Sequence, residues 1–231
     1  DIRRETLQDF EGYLSRLVAQ LESHGVVVHR VSTAREARET IGRIATEHGV
    51  TLVAKSKSMA TEEIALNGAL EEAGIRAVET DLGEYILQLD GEHPVHIIAP
   101  AIEKTRHQVA EMFTAIEGQE VPAELEALTA SARRQLRQVF LDADVGVTGC
   151  NMAVAETGTI SIVSNEGNGR LVSALPKTHI AVMGMERLVP TLDDLSVILR
   201  LLARSATGQR LSSYTSLITG PRRPGEADGP D

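Results

Sequence analysis

Short apolar runs alternating with longer amphipathic ones constrain this fold more than any other feature of the chain. Leu7, Phe10, Leu14, Leu17, Val18 and Leu21 recur at helical spacing, and Gly25 follows where a left-handed cap belongs. Residues 26–31 then read as a strand, and Thr33 with Glu36 predicts a capping box for a helix that runs to His48 and stops at Gly49. Residues 50–55 form the next predicted strand. The alternation continues with a helix over 61–73 closed by Gly74, strands over 75–80 and 96–99, and a helix over 104–116. Strands separated by helices of this length need right-handed crossovers, which give a mostly parallel sheet with helices on both faces. The predicted class is α/β with three layers.

After a second long helix over 124–141 the pattern changes. Residues 152–155 and 159–164 flank Glu156, Thr157 and Gly158, the spacing of an antiparallel hairpin. A strand over 180–183, a helix over 192–204 capped by Thr191, and a strand over 214–219 complete the set. The 231 residues fit one domain over 1–219. Residues 220–231, rich in Gly and Pro, read as a flexible tail that leads onward. The chain begins at Asp1 rather than Met, as expected of a processed or truncated product.

The net charge of -10 opposes binding to nucleic acid or to an anionic membrane surface. With no Trp and 3% aromatic residues, the chain also lacks stacking platforms for single-stranded nucleic acid. Cys150 is the single cysteine, so an internal disulfide is impossible and thiolate ligation of zinc or an iron-sulfur cluster is not expected here. That usage favours the cytoplasm. No apolar run approaches the roughly 20 residues that cross a bilayer, so no membrane insertion is expected.

Three constellations suit chemistry on a small anion. Lys55, Ser56, Lys57 and Ser58 leave a predicted strand and enter a helix capped by Ser58 or Thr61. In open α/β sheets the carboxyl ends of strands border the ligand crevice, and free N–H groups at the next helix favour an anion. A solvated loop with one capping serine fits the same residues. The second constellation is AETGT (residues 155–159) with SNEGNGR (residues 164–170). Here Gly167 and Gly169 permit close backbone approach, Asn165 and Asn168 offer amides, and Arg170 can pair with a carboxylate. Glu156 lies between apolar strands, where desolvation would raise its pKa and suit it to proton transfer, although a plain turn residue fits as well. The third is Lys177, Thr178 and His179 at a strand start, where a structural histidine is the alternative. Asp142 and Asp144 read as caps or solvated acids, so no metal site is expected, and Cys150 reads as buried packing.

Four stretches, KSKSMATEEIALN (55–67), ETDLGEYILQL (79–89), AETGTISIVSNEGNGRL (155–171) and LPKTHIAVMG (175–184), resemble one family, the lactate-utilisation (LUD) domain. PAIEKTR (100–106) and SATGQRLSSYTSLITGPRR (205–223) are similar to its iron-sulfur branch. The resemblance implies a fold like that of ribose-5-phosphate isomerases and CoA-transferases, and a part in oxidising L-lactate to pyruvate alongside other lactate-utilisation subunits. It implies [4Fe-4S] clusters for the full-length protein, carried by a cysteine-rich region that this chain does not contain. By analogy with the wider superfamily, Glu156 or Glu166 would be the catalytic carboxylate. The leading expectation is a domain that binds lactate, pyruvate or a related carboxylate through Lys55, Lys57, Arg170 and Lys177. A CoA-transferase-like or isomerase-like enzyme, and a non-catalytic docking scaffold, remain alternatives.

Overall fold

A computed structural model describes residues 1–92, 100–227 and 229–231. In chain order the strands are β1 (Leu52–Lys55), β2 (Arg76–Glu79), β3 (Val145–Gly149), β4 (Met152–Val154), β5 (Thr159–Ser164), β6 (Thr178–Val182), β7 (Leu188–Val189) and β8 (Tyr214–Ile218). The helices are α1 (Ile2–Gln8), α2 (Phe10–Ser23), α3 (Ala34–Glu47), α4 (Met59–Glu63), α5 (Leu66–Glu72), α6 (Leu82–Asp90), α7 (Arg106–Glu117), α8 (Leu125–Asp142), α9 (Asn168–Ala174) and α10 (Leu192–Thr207). One sheet has the order β2-β1-β3-β6 and is parallel throughout. The second, β7-β4-β5-β8, is mixed and contains the expected antiparallel β4–β5 hairpin, with Ala153 opposite Ile160.

The parallel sheet is the middle of three layers because its strands carry apolar side chains on both faces. Ala54 and Val78 pack against Tyr85 of α6, Phe113 of α7, Leu136 of α8 and Val172 of α9. On the opposite face Val53, Ala77 and Val147 meet Ile41 of α3 with Leu66 and Leu70 of α5. The mixed sheet repeats the arrangement on a smaller scale. Along β4, Ala153 faces Leu14 and Leu17 of α2, whereas Met152 and Val154 face Leu195 of α10.

Helix starts follow the sequence signals with one adjustment. Thr191 caps α10 through a full box with Asp194, and Thr105 does the same for α7 with Gln108. At α3, Thr33 accepts the Glu36 N–H, but the Glu36 carboxylate reaches one residue further back, to the Ser32 N–H. The helix expected over 61–73 is two helices, because Ala65 adopts a left-handed conformation with φ 50°. Residues 26–31 are not a strand. Val26 and Val28 are half-buried while Val27 and His29 are exposed, so the alternation is present, but among the described residues no neighbouring chain gives it a ladder. The strand expected over 96–99 lies outside the described residues. The segment after β8 makes backbone hydrogen bonds, from the Gly229 N–H to the Ala174 carbonyl and from the Asp231 N–H to the Lys177 carbonyl.

Two close approaches lie along β3. Helix α9 lies on β3, and a Cβ at Gly146 would fall 1.8 Å from the Val172 carbonyl oxygen. Next along the same edge, His179 is the register partner of Gly146, and its Nε2 lies 2.8 Å from the Thr148 hydroxyl. Burial lowers the His179 imidazole from 6.5 to about 4, so the ring is neutral at pH 7.

Gly146→Ala is expected to destabilise the fold by about 3 kcal/mol, read from chemical denaturation, because backbone must move to admit the methyl group. The unfolded chain protonates His179 before the folded one does. Its contribution to stability is therefore full above pH 6.5 and declines as pH falls towards about 4. Denaturation midpoints of His179→Gln, measured at stepwise pH, are expected to have a flatter acid limb than wild type.

Candidate functional site

The loops that leave β1, β2 and β5 enclose a cleft of about 620 Å³. They meet at the carboxyl ends of the parallel strands, where such sheets leave a crevice. The Ser56 N–H still bonds the Val147 carbonyl at 2.9 Å, so the chain leaves β1 along β3. One residue on, the Lys57 N–H donates to Asp81 Oδ2 at 2.6 Å, tying the β1 loop to the start of α6. The Leu82 N–H at the first turn of α6 donates to Glu166 Oε2 at 3.1 Å, which ties in the β5 loop.

Beneath these contacts lies a buried side-chain network. Ser164 Oγ accepts the N–H groups of Glu166 and Gly167 and donates to Asn168 Oδ1 at 2.9 Å. The Asn168 amide, 4% exposed, donates to Thr80 Oγ1 at 3.1 Å and to Ser56 Oγ at 3.4 Å. Gly167 takes a φ of 79°, available to glycine at little cost, and this turns the chain so that Asn168 points inward. The glycine loop is thus an anchored element that frames the cleft.

Among the described residues the cleft is acidic with one cation. Asp81, Glu84 and Glu166 line it together with Lys57, and Lys57 forms an ion pair with the buried Glu84 carboxylate. Burial pushes the Asp81 carboxyl up to about 6; the nearby Glu166 and Glu84 charges add to this, while the Lys57 N–H and the Asn168 side chain pull it down. Asp81 is therefore part protonated near neutrality.

The structure separates the predicted site residues into three groups. Ser56, Lys57, Asn165 and Glu166 line the cleft, and Asn168 and Gly169 lie directly behind it, with Gly169 close to Ile162 and Ser56. Lys55 and Ser58 are buried just below: Lys55 is 1% exposed and bound to Glu62 and Glu79, and Ser58 packs against Gly149. Glu156, Arg170 and Lys177 to His179 lie away from the cleft. Arg170 is exposed on α9 and does not line it. Lys177, Thr178 and His179 enter β6 at the amino end of the parallel sheet, since Thr178 is paired with Val145, the first residue of β3. The expectation of a desolvated Glu156 is not met. It is exposed, and its Oε2 accepts the Leu192 N–H at 3.2 Å, capping α10 from the hairpin turn.

Asp81 and Glu84 escaped the sequence reading as site residues. Their signal is a strand that ends in Glu79 and Thr80 and an acid at the first cap of the next helix, the same strand-to-helix logic that singled out residues 55–58. Asp144, weighed as a metal ligand, accepts the N–H groups of Thr51 and Leu52, which lower its pKa.

The residues present do not fit an iron-sulfur cluster. The one thiol, Cys150, is buried, donates to the Met152 carbonyl and is pushed up to about 12 by burial. Among the described residues no group of three or more His, Cys, Asp or Glu could hold a metal ion, and no helix is long and apolar enough to cross a membrane.

Residues 14–230 match the LUD domain family. The chain is 52% identical to a protein named Lactate utilization protein B from Shouchella clausii and 51% identical to one of the same name from Oceanobacillus iheyensis, with all of this chain aligned. It is 47% identical to an Escherichia coli protein named Uncharacterized electron transport protein YkgF. The chain spans about half the length of these curated relatives, 49%, 48% and 48% respectively. A crystal structure of a DUF162 family protein from Deinococcus radiodurans aligns over 82% of this chain and 91% of its own, with 17% identity and a TM-score of 0.30. With the family match running from Leu14 to Pro230, the chain is a member of the LUD domain family.

Proposed function

We propose that this LUD domain serves lactate utilisation within a longer protein of the B type, and that its cleft receives a small hydroxy- or oxo-carboxylate such as lactate or pyruvate. The names of the relatives support the first part. The observation that carries the second is Lys57 and Asp81 lining one cleft, tied together through the Lys57 N–H. An ammonium group suits the carboxylate of such an acid, and a carboxyl near its own pKa suits the neighbouring hydroxyl or carbonyl, as acceptor when ionised and as donor when protonated. Ser56 and Asn165 add neutral hydrogen-bonding groups to the same walls.

In this reading the domain binds and orients the acid in the cytoplasm, and other lactate-utilisation subunits are its partners. The [4Fe-4S] clusters implied for the full-length protein would be held by cysteines outside this chain. A glutamate-based transferase has less support, since Glu156 and Glu166 each accept a helix-terminal N–H.

Calorimetric titration with L-lactate and with pyruvate tests the proposal. Because Lys57 is the counter-charge of Glu84, the informative comparison is Glu84→Gln against the double variant Lys57→Gln/Glu84→Gln. Loss of the ammonium is expected to weaken binding by roughly tenfold or more, the worth of one charge-assisted hydrogen bond. Equal affinity in the two variants, or no heat with either acid, overturns it.

Affinity is expected to decline as pH rises through about 6, where Asp81 ionises and adds negative charge beside the ligand; Asp81→Asn should flatten that profile. The same substitution has an opposite effect on stability. A carboxyl raised from 3.8 to about 6 costs the fold stability as pH climbs through that interval. Asp81→Asn should therefore unfold about 1–2 kcal/mol less readily than wild type at pH 7 while binding less selectively.

A further inference from the structure

Directly below the cleft, β1 and β2 end in a register pair, Lys55 and Glu79, that is buried on both sides. Lys55 Nζ donates to Glu79 Oε1 at 2.7 Å, to Glu62 Oε1 at 2.8 Å and to Thr61 Oγ1 at 3.1 Å, which uses all three of its protons. The Thr61 hydroxyl in turn donates to the Ser58 carbonyl. Asn67 Nδ2 donates to Glu79 Oε1 at 2.8 Å. Two buried oxygens are then left without a donor, Glu79 Oε2 and Asn67 Oδ1. Turning the Asn67 amide over does not help, because its oxygen would then face Glu79 Oε1.

Buried acceptors without donors are costly, and with the Asn67 amide already bonded to the Glu79 carboxyl, one hydrogen shared between the two groups would satisfy both. We infer that Glu79 carries a proton on Oε2 and stands as a neutral acid paired with the Asn67 amide, leaving Lys55 with Glu62 as its ionised partner. The site is then a proton-binding site under the cleft floor. Lys55 keeps an ionised counter-charge in Glu62, whose side chain is 38% exposed and so holds its charge at lower cost than the buried Glu79. The groups facing Glu79 are Lys55 from β1, Glu62 from α4 and Asn67 from α5, while Gln88 of α6 accepts its backbone N–H. Burial raises the Glu79 pKa, the Lys55 charge and the hydrogen bonds from Lys55 and Asn67 oppose it, and the Glu62 charge raises it further.

The geometry of the helix break fits the same account. Five residues along an unbroken helix are about 140° apart around its axis, so Glu62 and Asn67 would face different ways. The left-handed Ala65 between them lets both converge on the Lys55–Glu79 pair. The inference is independent of which ligand the cleft accepts.

Glu79→Gln replaces a neutral acid by a group of the same shape that supplies an N–H where the inferred O–H lies. In thermal melts of the full chain, the variant is expected to unfold no lower than wild type at neutral pH. Its advantage should widen as pH rises above the ordinary carboxylate range, because wild type alone must ionise or retain a proton there. If Glu79 is instead an ionised partner of Lys55, the variant loses a buried counter-charge and melts well below wild type, which overturns the inference. The wild-type protein gives an independent reading through the 13C chemical shift of the Glu79 carboxyl carbon at pH 7. A protonated value is expected. An ionised value, including one in which a bridging water supplies the donors, overturns it.

Discussion

Asn168 is the side chain on which the geometry of the cleft depends. It reaches from the start of α9 to Thr80 after β2 and to Ser56 after β1, and it accepts the Ser164 hydroxyl from its own loop. Three loops that share no sequence neighbourhood are thereby held by one buried amide. A buried amide needs both its donors and its acceptor satisfied, so the three partners are specified together. The close lie of α9 on β3, made possible by Gly146, is what brings that amide within reach. The cleft residues Lys57, Asp81 and Glu166 then inherit their positions from a scaffold that is itself uncharged.

The chain's negative balance and the acidity of the cleft are separate facts with different consequences. The net charge of -10 acts at long range and is screened by salt, whereas the Glu84 and Glu166 charges act on Asp81 across a partly desolvated space. A single Lys57 among three carboxyl groups makes the site a poor general trap for anions. Under the proposed function, selectivity comes from pairing an ammonium group with a carboxyl that titrates close to neutrality. Below it, the Lys55 cluster places a second carboxyl of raised pKa only two residues away on the same strand end.

Much of this was legible in the residues. The alternation of apolar runs gave the parallel sheet and its helix layers, the 152–164 spacing gave the hairpin, and Thr191 gave the start of α10. That Lys57 and Glu166 line a cleft follows from the relation of strand ends and glycine loops to crevices. The separation of Lys177 to His179 from the cleft has a physical origin. In a parallel sheet, residues that follow a strand and residues that precede one lie at opposite edges, so Lys57 after β1 and Lys177 before β6 cannot share a site. The capping of α10 by Glu156 depends on that helix coming back to meet the hairpin turn, a long-range contact that no local pattern encodes. The break at Ala65 was hidden for a similar reason, since alanine is the best of helix formers and only tertiary contacts put it elsewhere.

Among the described residues Ala65 is the one non-glycine with a positive φ, a conformation that costs alanine roughly 1 kcal/mol or more. The segment from α4 to α5 can be thought of as a bent spring clamped at both ends, by Lys55 on Thr61 and Glu62 and by Glu79 on Asn67. The clamp is made of protons and charges, while the spring is backbone. Any event that alters the charge on Glu79 therefore loads or unloads a mechanical element in the floor beneath Ser56 and Lys57, and does so without touching the cleft itself.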